Sequence, residues 1–437
     1  MSGIDWISAS AGPLRGEVRV PGDKSVSHRA IMLASLAEGT SHIGGFLEGE
    51  DTRATARAFA RMGVRIEAPH DSERVVHGLG LHGLRAPDGP IDCGNAGTCM
   101  RLMTGILAGQ AFDSVLIGDA SLSRRPMRRV IEPLTRMGAR IDAQEGGLPP
   151  LRISGKRTLC GITYELPVAS AQVKSALLLA GLYAGGETEV REPHPTRDYT
   201  ERMLQTLGWP IEYGEGWAKL TGGHSLRAAN ITVPADFSSA AFFLVAAAVV
   251  PGSELHLREV GVNARRTGLL RALRLMGADI VATNPRTSGG EAVADLVVRH
   301  APLRGIDVPI EIVPDMIDEF PALFIAAAAA KGTTRITGAA ELRVKESDRI
   351  AVMAKGFRAL GVRIEETPDG AVIEGGEFGG GEVDSAGDHR CAMSFAIAGL
   401  LARKPVRIAD CANVATSFPG FLELANRSGF ALRAATD

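Results

Sequence analysis

The sequence has no paired cysteines, no long apolar run and almost no net charge. Its five cysteines (Cys93, Cys99, Cys160, Cys391, Cys411) are odd in number and contain no C-x-x-C pair, which excludes a disulfide framework; they read as reduced thiols of a cytosolic protein. No H-E-x-x-H or His/Cys ligand spacing is present, so no metal site is expected. The longest uninterrupted apolar run, Ala240 to Val250, is eleven residues, too short to span a bilayer. Met1 to Ser10 lacks the basic and apolar regions of a secretory signal. With 48 Lys+Arg against 50 Asp+Glu, the formal charge is −2, which excludes a broadly basic nucleic-acid coat but leaves room for a local basic cleft.

What the chain has is glycine: 52 of 437 residues, against only 14 Phe, 4 Tyr and 3 Trp. There is no collagen-like period, so the glycines serve turns. At about 150 residues per domain the length allows roughly one to three domains, and internal repetition decides how it is divided. A helix-like apolar stretch ending in Gly and entering a short strand recurs six times, around Gly63, Gly138, Gly208, Gly277, Gly361 and Gly429, at intervals of 75, 70, 69, 84 and 68 residues. Gly just past a helix takes the left-handed conformation without a Cβ penalty. An earlier helix and β-rich stretch precede each copy, giving six α/β units of about 70 residues.

The first helices start at Asp23-Lys24-Ser25 with Arg29, Asn95 with Thr98 and Arg101, Ser170 with Gln172 and Lys174, Asp236 with Ser238 and Ser239, Asp315 with Asp318 and Glu319, and Asp388-His389-Arg390. Ser, Asn and Asp are good N-caps, and capping alone accounts for Asp236 and Ser238. It does not account for Lys24, Arg29, Lys174, His389 and Arg390 in first turns, where the helix dipole disfavours cations. An anion beyond the helix end would make them favourable. Residues 117–129, with four arginines, and 343–349, with three cations, read as loops that bind rather than as solvated faces. The pattern is that of a protein holding small, highly anionic ligands. Gly78-Leu-Gly80-Leu-His-Gly83 is followed by Pro87 and Pro90 instead of a helix, and Gly22-Asp23-Lys24-Ser25 lacks the early Gly of a P-loop, so neither is a nucleotide site.

PGDKSVSHRA (21–30), GNAGTCMRLM (94–103), GDASLSRRPM (118–127), ASAQVKSALL (169–178), TRDYTERML (196–204), RVKESDRI (343–350) and DHRCAM (388–393) together resemble the 5-enolpyruvylshikimate-3-phosphate synthases, or 3-phosphoshikimate 1-carboxyvinyltransferases, within the enolpyruvyl transferases. The resemblance runs in order from about residue 14 to 425, closer to the bacterial branch carrying SAQ, RPM and ATSFP. It implies an α/β fold of two domains, each of three repeated units in an inside-out barrel-like arrangement, with the active site in the inter-domain cleft. One domain would span 21–236 and carry Lys24, Arg125 and Ser170. The other would comprise 1–20 and 237–437 and carry Asp315, Lys345 and Arg390.

The implied reaction moves the enolpyruvyl group of phosphoenolpyruvate to the 5-hydroxyl of shikimate 3-phosphate and releases phosphate. By position in the motifs, Lys24, Ser25, Arg29, Ser170, Ala171, Gln172, Arg197, Asp315 and Lys345 would hold shikimate 3-phosphate. Lys24, Gly97, Arg125, Gln172, Arg349 and Arg390 would hold phosphoenolpyruvate. Asp315 matches the proton acceptor near the 5-hydroxyl and Glu346 the second acid–base group, with Lys24 between the substrates. No cofactor, metal, nucleic-acid or membrane partner is implied, and a cytoplasmic monomer is. The sequence departs from the family pattern at three positions. Ala171 replaces a common Ser and leaves backbone N–H there; Glu341 replaces a common Asn; Thr416 replaces a Lys that contacts phosphoenolpyruvate. Gly97 is small enough to leave room for glyphosate. Two alternatives remain: the sister transferase acting on UDP-N-acetylglucosamine, whose loop carries a reactive Cys absent from 117–129, and a non-catalytic anion-binding relative, which would not need Asp315 and Glu346.

Overall fold

The computed structural model describes residues 4–155 and 158–435. It folds as two compact units: Gly22–Pro234 with Thr287–Glu291 (the first unit), and the chain up to Pro21, Ala235–Arg286 and the chain from Ala292 on (the second). Among the described residues the first unit holds helices α1 (Lys24–Leu36), α2 (Glu50–Arg61), α3 (Gly97–Ala108), α4 (Arg128–Arg136), α5 (Ala171–Gly181) and α6 (Tyr199–Thr206). The second holds α7 (Phe237–Val249), α8 (Gly268–Leu275), α9 (Phe320–Ala329), α10 (Arg349–Ala359), α11 (His389–Leu401) and α12 (Phe421–Arg427).

One repeat shows the plan. Strand Thr163–Glu165 lies parallel to Glu187–Arg191, which pairs antiparallel with Trp217–Thr221, itself antiparallel to Ile211–Gly214. Helix α5 joins the first pair and α6 leads to the outer hairpin. The sheet of Ile91–Asp92, Ser114–Ile117, Leu148–Ser154 and Arg140–Gln144 repeats the same order around α3 and α4. In the second unit, the third position of the sheet of Gly381–Asp384, Val406–Ala409 and Ala431–Ala434 is filled by Trp6–Ala9 from the other end of the chain. The six glycines that end α2, α4, α6, α8, α10 and α12 all have φ between 81° and 103°. That shared left-handed turn is the structural content of the sequence repeat.

The two helices of each repeat differ in what they bury. All thirteen residues of α7 are buried, including most of the eleven-residue apolar run, and the Ala-rich α9 is buried on nearly every side. Helices α7, α9 and α11 touch one another, and small side chains allow that approach. By contrast α4 buries only Val130, Pro133 and Leu134. The three first helices of the second unit thus pack on one another in its core. No described helix is long and apolar enough to cross a membrane.

Candidate active site

Four of the six helix starts are side-chain caps. Asp23 accepts from the Val26 N–H at 2.9 Å, Ser170 from Val173, Asp236 from Ser238 and Ser239, and Asp388 from Arg390 and Cys391. The other two are not. Helix α3 is preceded by Ala96, and Asn95 instead accepts from Arg125 at 2.8 Å and donates to Asp119 at 2.7 Å. Asp315 sits in a short 3-10 turn, Pro314–Met316, before α9 begins.

In the first unit, Arg29 is held by neutral oxygens and Lys24 by a carboxylate. Arg29 is buried and donates to Thr200 at 2.8 Å, to Ser175 at 2.8 Å and to the Ser25 carbonyl at 3.0 Å. Burial, and then the neighbouring charge of Arg197, pull its guanidinium down to about 10. It stays charged at neutral pH, beside the like charge of the half-buried Arg197. Lys24 is half-buried and pairs with Asp51 at 3.0 Å. Next to it His28 is buried, bonded to Thr55 at 2.7 Å, and driven well below its ordinary pKa by burial and by Lys24 and Arg29. It is a neutral core histidine.

Across α3 and α5 a second set converges. Arg101 donates to the Gln172 carbonyl at 2.6 Å, and the Gln172 amide donates to Thr98 at 2.9 Å. A Cβ on Gly97 would stand 3.1 Å from Arg101 Nη1 and 3.5 Å from Arg125 Nη1. Gly97, Arg125 and Gln172 are therefore neighbours, with Arg101 among them. Lys174 is different: it is buried between Glu192 and Glu201, 2.8 Å from each. Burial opposes its charge, but the two carboxylates outweigh it and raise its pKa. The cation expected to face an anionic ligand is already neutralised within the fold. Residues 117–129 are also less loop-like than expected, since Leu122–Arg124 is a 3-10 turn and α4 starts at Arg128.

In the second unit Asp315 is buried, with Arg265 at 3.9 Å and Arg271 at 4.0 Å as the nearest ion-pair partners of Oδ2. That oxygen accepts no hydrogen bond. Burial raises its pKa against the pull of both arginines. Arg349 is fully buried and bonded to Asp388 at 2.8 Å and Glu346 at 2.6 Å, with Asp318 at 3.6 Å. Burial disfavours the ionised Asp388, yet Arg349 carries its pKa below the ordinary value. Lys345 lies 3.5 Å from Asp318, and Arg390 3.8 Å from Glu319. The structure thus brings Lys345, Glu346, Arg349 and Arg390 together around Asp318, Glu319 and Asp388. Thr416 Oγ1 donates to the Asn413 carbonyl at 2.7 Å, a turn contact. Asp51, Thr200, Ser175 and Arg266 carried no signal in the sequence, because each meets its partner only through distant parts of the chain.

The model of the family described as EPSP synthase (3-phosphoshikimate 1-carboxyvinyltransferase) matches residues 9–424. Proteins named 3-phosphoshikimate 1-carboxyvinyltransferase from Xanthomonas campestris pv. campestris (strain B100) and Xanthomonas oryzae pv. oryzae (strain PXO99A) are each 65% identical, over 98% of both chains. A solved EPSP synthase structure from Acinetobacter baumannii superposes with a TM-score of 0.90 at 52% identity, covering 99% of this chain and 100% of that one. Converging cations, a buried carboxylate of raised pKa and this similarity lead to one assignment: the chain belongs to the EPSP synthase (3-phosphoshikimate 1-carboxyvinyltransferase) family.

Proposed function

We propose that this protein transfers the enolpyruvyl group of phosphoenolpyruvate to the 5-hydroxyl of shikimate 3-phosphate, giving 5-enolpyruvylshikimate 3-phosphate and phosphate on the route to chorismate. The observation that carries the reading is that one repeat of the second unit holds Asp315, a buried carboxyl of raised pKa, together with Lys345 and Arg349, which gather with Arg390 around Asp318, Glu319 and Asp388. A protein that merely stored anions would not keep a base whose ionisation burial opposes.

In this reading Arg29 and Arg197, with Lys24, Ser25, Ser170, Gln172 and the backbone N–H of Ala171, hold shikimate 3-phosphate. Asp315 and Lys345 complete that set. Lys24, Gln172 and Arg125, with the space above Gly97, take phosphoenolpyruvate together with Arg349 and Arg390. Asp315 accepts the proton of the attacking 5-hydroxyl. Glu346, bonded to Arg349, is the second acid–base group, since the enolpyruvyl methylene carbon must gain a proton and lose one again. The cations stabilise charge on the departing phosphate. Residues 21–236 and the remainder are read as two domains of three repeats, helices inside and sheets outside, a reading supported by the burial of α1, α3, α5, α7, α9 and α11. The working form is read as a cytoplasmic monomer that uses no metal or cofactor.

The decisive assay is phosphate release from phosphoenolpyruvate with shikimate 3-phosphate or UDP-N-acetylglucosamine as acceptor. Turnover with the first alone is expected. Turnover with the second alone would move the protein to the sister activity, and none with either would leave an anion binder.

A further inference from the structure

Glu319 is a fully buried carboxylate of the second unit that the reaction does not use. Its side chain is at 0% exposure, and although it directly precedes α9 it makes no capping bond. Its Oε1 instead accepts from the Ser238 hydroxyl, at the start of α7. Arg266 donates to the same hydroxyl and lies 3.2 Å from Oε1. Arg390, in the first turn of α11, reaches the same oxygen at 3.8 Å. The other oxygen, Oε2, is buried and accepts no hydrogen bond. One carboxylate therefore ties together the starts of all three core helices of this unit. Beside it Asp318 gathers Arg266 at 3.3 Å, Lys345 at 3.5 Å and Arg349 at 3.6 Å.

We propose that Glu319, braced by Ser238 and Arg266, is a positioning residue that fixes the Arg390 guanidinium for the carboxylate or phosphate of phosphoenolpyruvate. The proposal rests on the assignment of Arg390 to that substrate. Two physical reasons favour a positioning role over one in stability alone. A buried carboxylate is costly unless fully satisfied, and Glu319 keeps one oxygen unsatisfied while a longer contact goes to Arg390. A cap would also satisfy the free N–H groups of α9 more cheaply, but the side chain is turned toward α7 and α11. The 3.8 Å separation is an ion pair short of a tight hydrogen bond. It orients Arg390 without consuming its donors, which stay available to a ligand. Asp388, by contrast, holds Arg349 in a 2.8 Å bond.

The test is steady-state kinetics of Glu319→Gln beside Arg390→Gln and Ser238→Ala, each checked by thermal melting. Glutamine keeps the shape and an acceptor for Ser238 but loses the charge facing Arg390. The expected result for Glu319→Gln is a KM for phosphoenolpyruvate raised about tenfold or more, as for misplaced binding groups, with the KM for shikimate 3-phosphate changed by less than about twofold. Ser238→Ala should give a smaller rise of the same kind, and it carries the test if Glu319→Gln does not fold. If Arg390→Gln raises the KM for phosphoenolpyruvate while folded Glu319→Gln and Ser238→Ala leave it unchanged, the brace is refuted and the substrate assignment stands. If Arg390→Gln itself has no effect, the assignment of Arg390 falls and the brace falls with it.

Discussion

Replacing Gly97 by Ala separates the fold from the site. Gly97 is the first residue of α3, and its φ is not in the left-handed region, so alanine meets no backbone strain there. The nearest atoms to the added methyl outside its own helix turn belong to side chains, Arg101 Nη1 at 3.1 Å, Arg125 Nη1 at 3.5 Å and Leu122 at 3.7 Å. The first contact is a few tenths of an ångström too close, and Arg101 must give. Crowding of this kind costs about 1 kcal/mol, and alanine in place of glycine in a helix returns about 0.5–1 kcal/mol. The melting temperature should therefore stay within a few degrees of the parent. Function should not be spared. Arg101 cannot retreat without loosening its 2.6 Å bond to Gln172, and Arg125 borders the same methyl. The KM for phosphoenolpyruvate should rise about tenfold, and inhibition by glyphosate, if that compound uses the same space, should weaken further. Phosphate release at saturating shikimate 3-phosphate measures both. An unchanged KM would refute the assignment of this corner to phosphoenolpyruvate. A melting temperature lowered by more than about 5 °C would refute the packing argument.

The remaining predictions concern charge. Lys24→Met should lower kcat/KM by about 100-fold or more, as loss of a cation at developing charge does, with Lys24→Arg restoring part of it in the same assay. Asp315→Asn should abolish turnover yet melt above the parent at pH 7, because burial penalises the ionised carboxyl; a lower melting temperature would mean that Asp315 serves the fold. In the native protein the acid limb of kcat/KM should lie above the usual aspartate value of 3.8. His28 has its folded pKa well below the 6.5 of an ordinary histidine, so the unfolded chain takes up its proton first. Its stabilisation is complete above pH 6.5 and is lost as the pH falls toward the folded value, at up to about 1.4 kcal/mol per pH unit. Urea unfolding of His28→Gln should lack that slope between about pH 6.5 and 5.

How much of this could be read from the sequence depends on how local the cause is. The six helix-ending glycines were legible because a left-handed residue after an apolar helix is a local requirement. The caps at Asp23, Ser170, Asp236 and Asp388 were legible for the same reason. Which cations remain for a ligand was not. Lys24, Lys174 and Arg390 look alike in sequence, each in a first turn, but Lys174 is neutralised by Glu192 and Glu201, from a strand end and a helix that follow it. Nor could the insertion of Trp6–Ala9 into the last repeat's sheet be read from spacing, since the strand and its partners lie about 400 residues apart.

The equivalent starts of the repeats also separate the aspartates that cap a helix from the one proposed as the proton acceptor. A carboxylate that caps a helix accepts N–H bonds from the first turn, and these hold its pKa down. Asp388 is spent on two backbone N–H groups and on Arg349, and the charge of Arg349 lowers its pKa against burial. Asp315 occupies the matching place in the neighbouring repeat, but α9 begins only at Phe320, so the helix's free N–H groups are out of its reach. The result is a buried carboxyl without the close arginine that lowers Asp388, and burial shifts its pKa up. On the proposed role of Asp315, capping and proton transfer are competing uses of one position, and a helix that starts a few residues later leaves the acid free for the second. Where a start keeps its cap, as at Asp236, the sequence repeat should be read as structure; where the helix retreats from its acid, it should be read as chemistry.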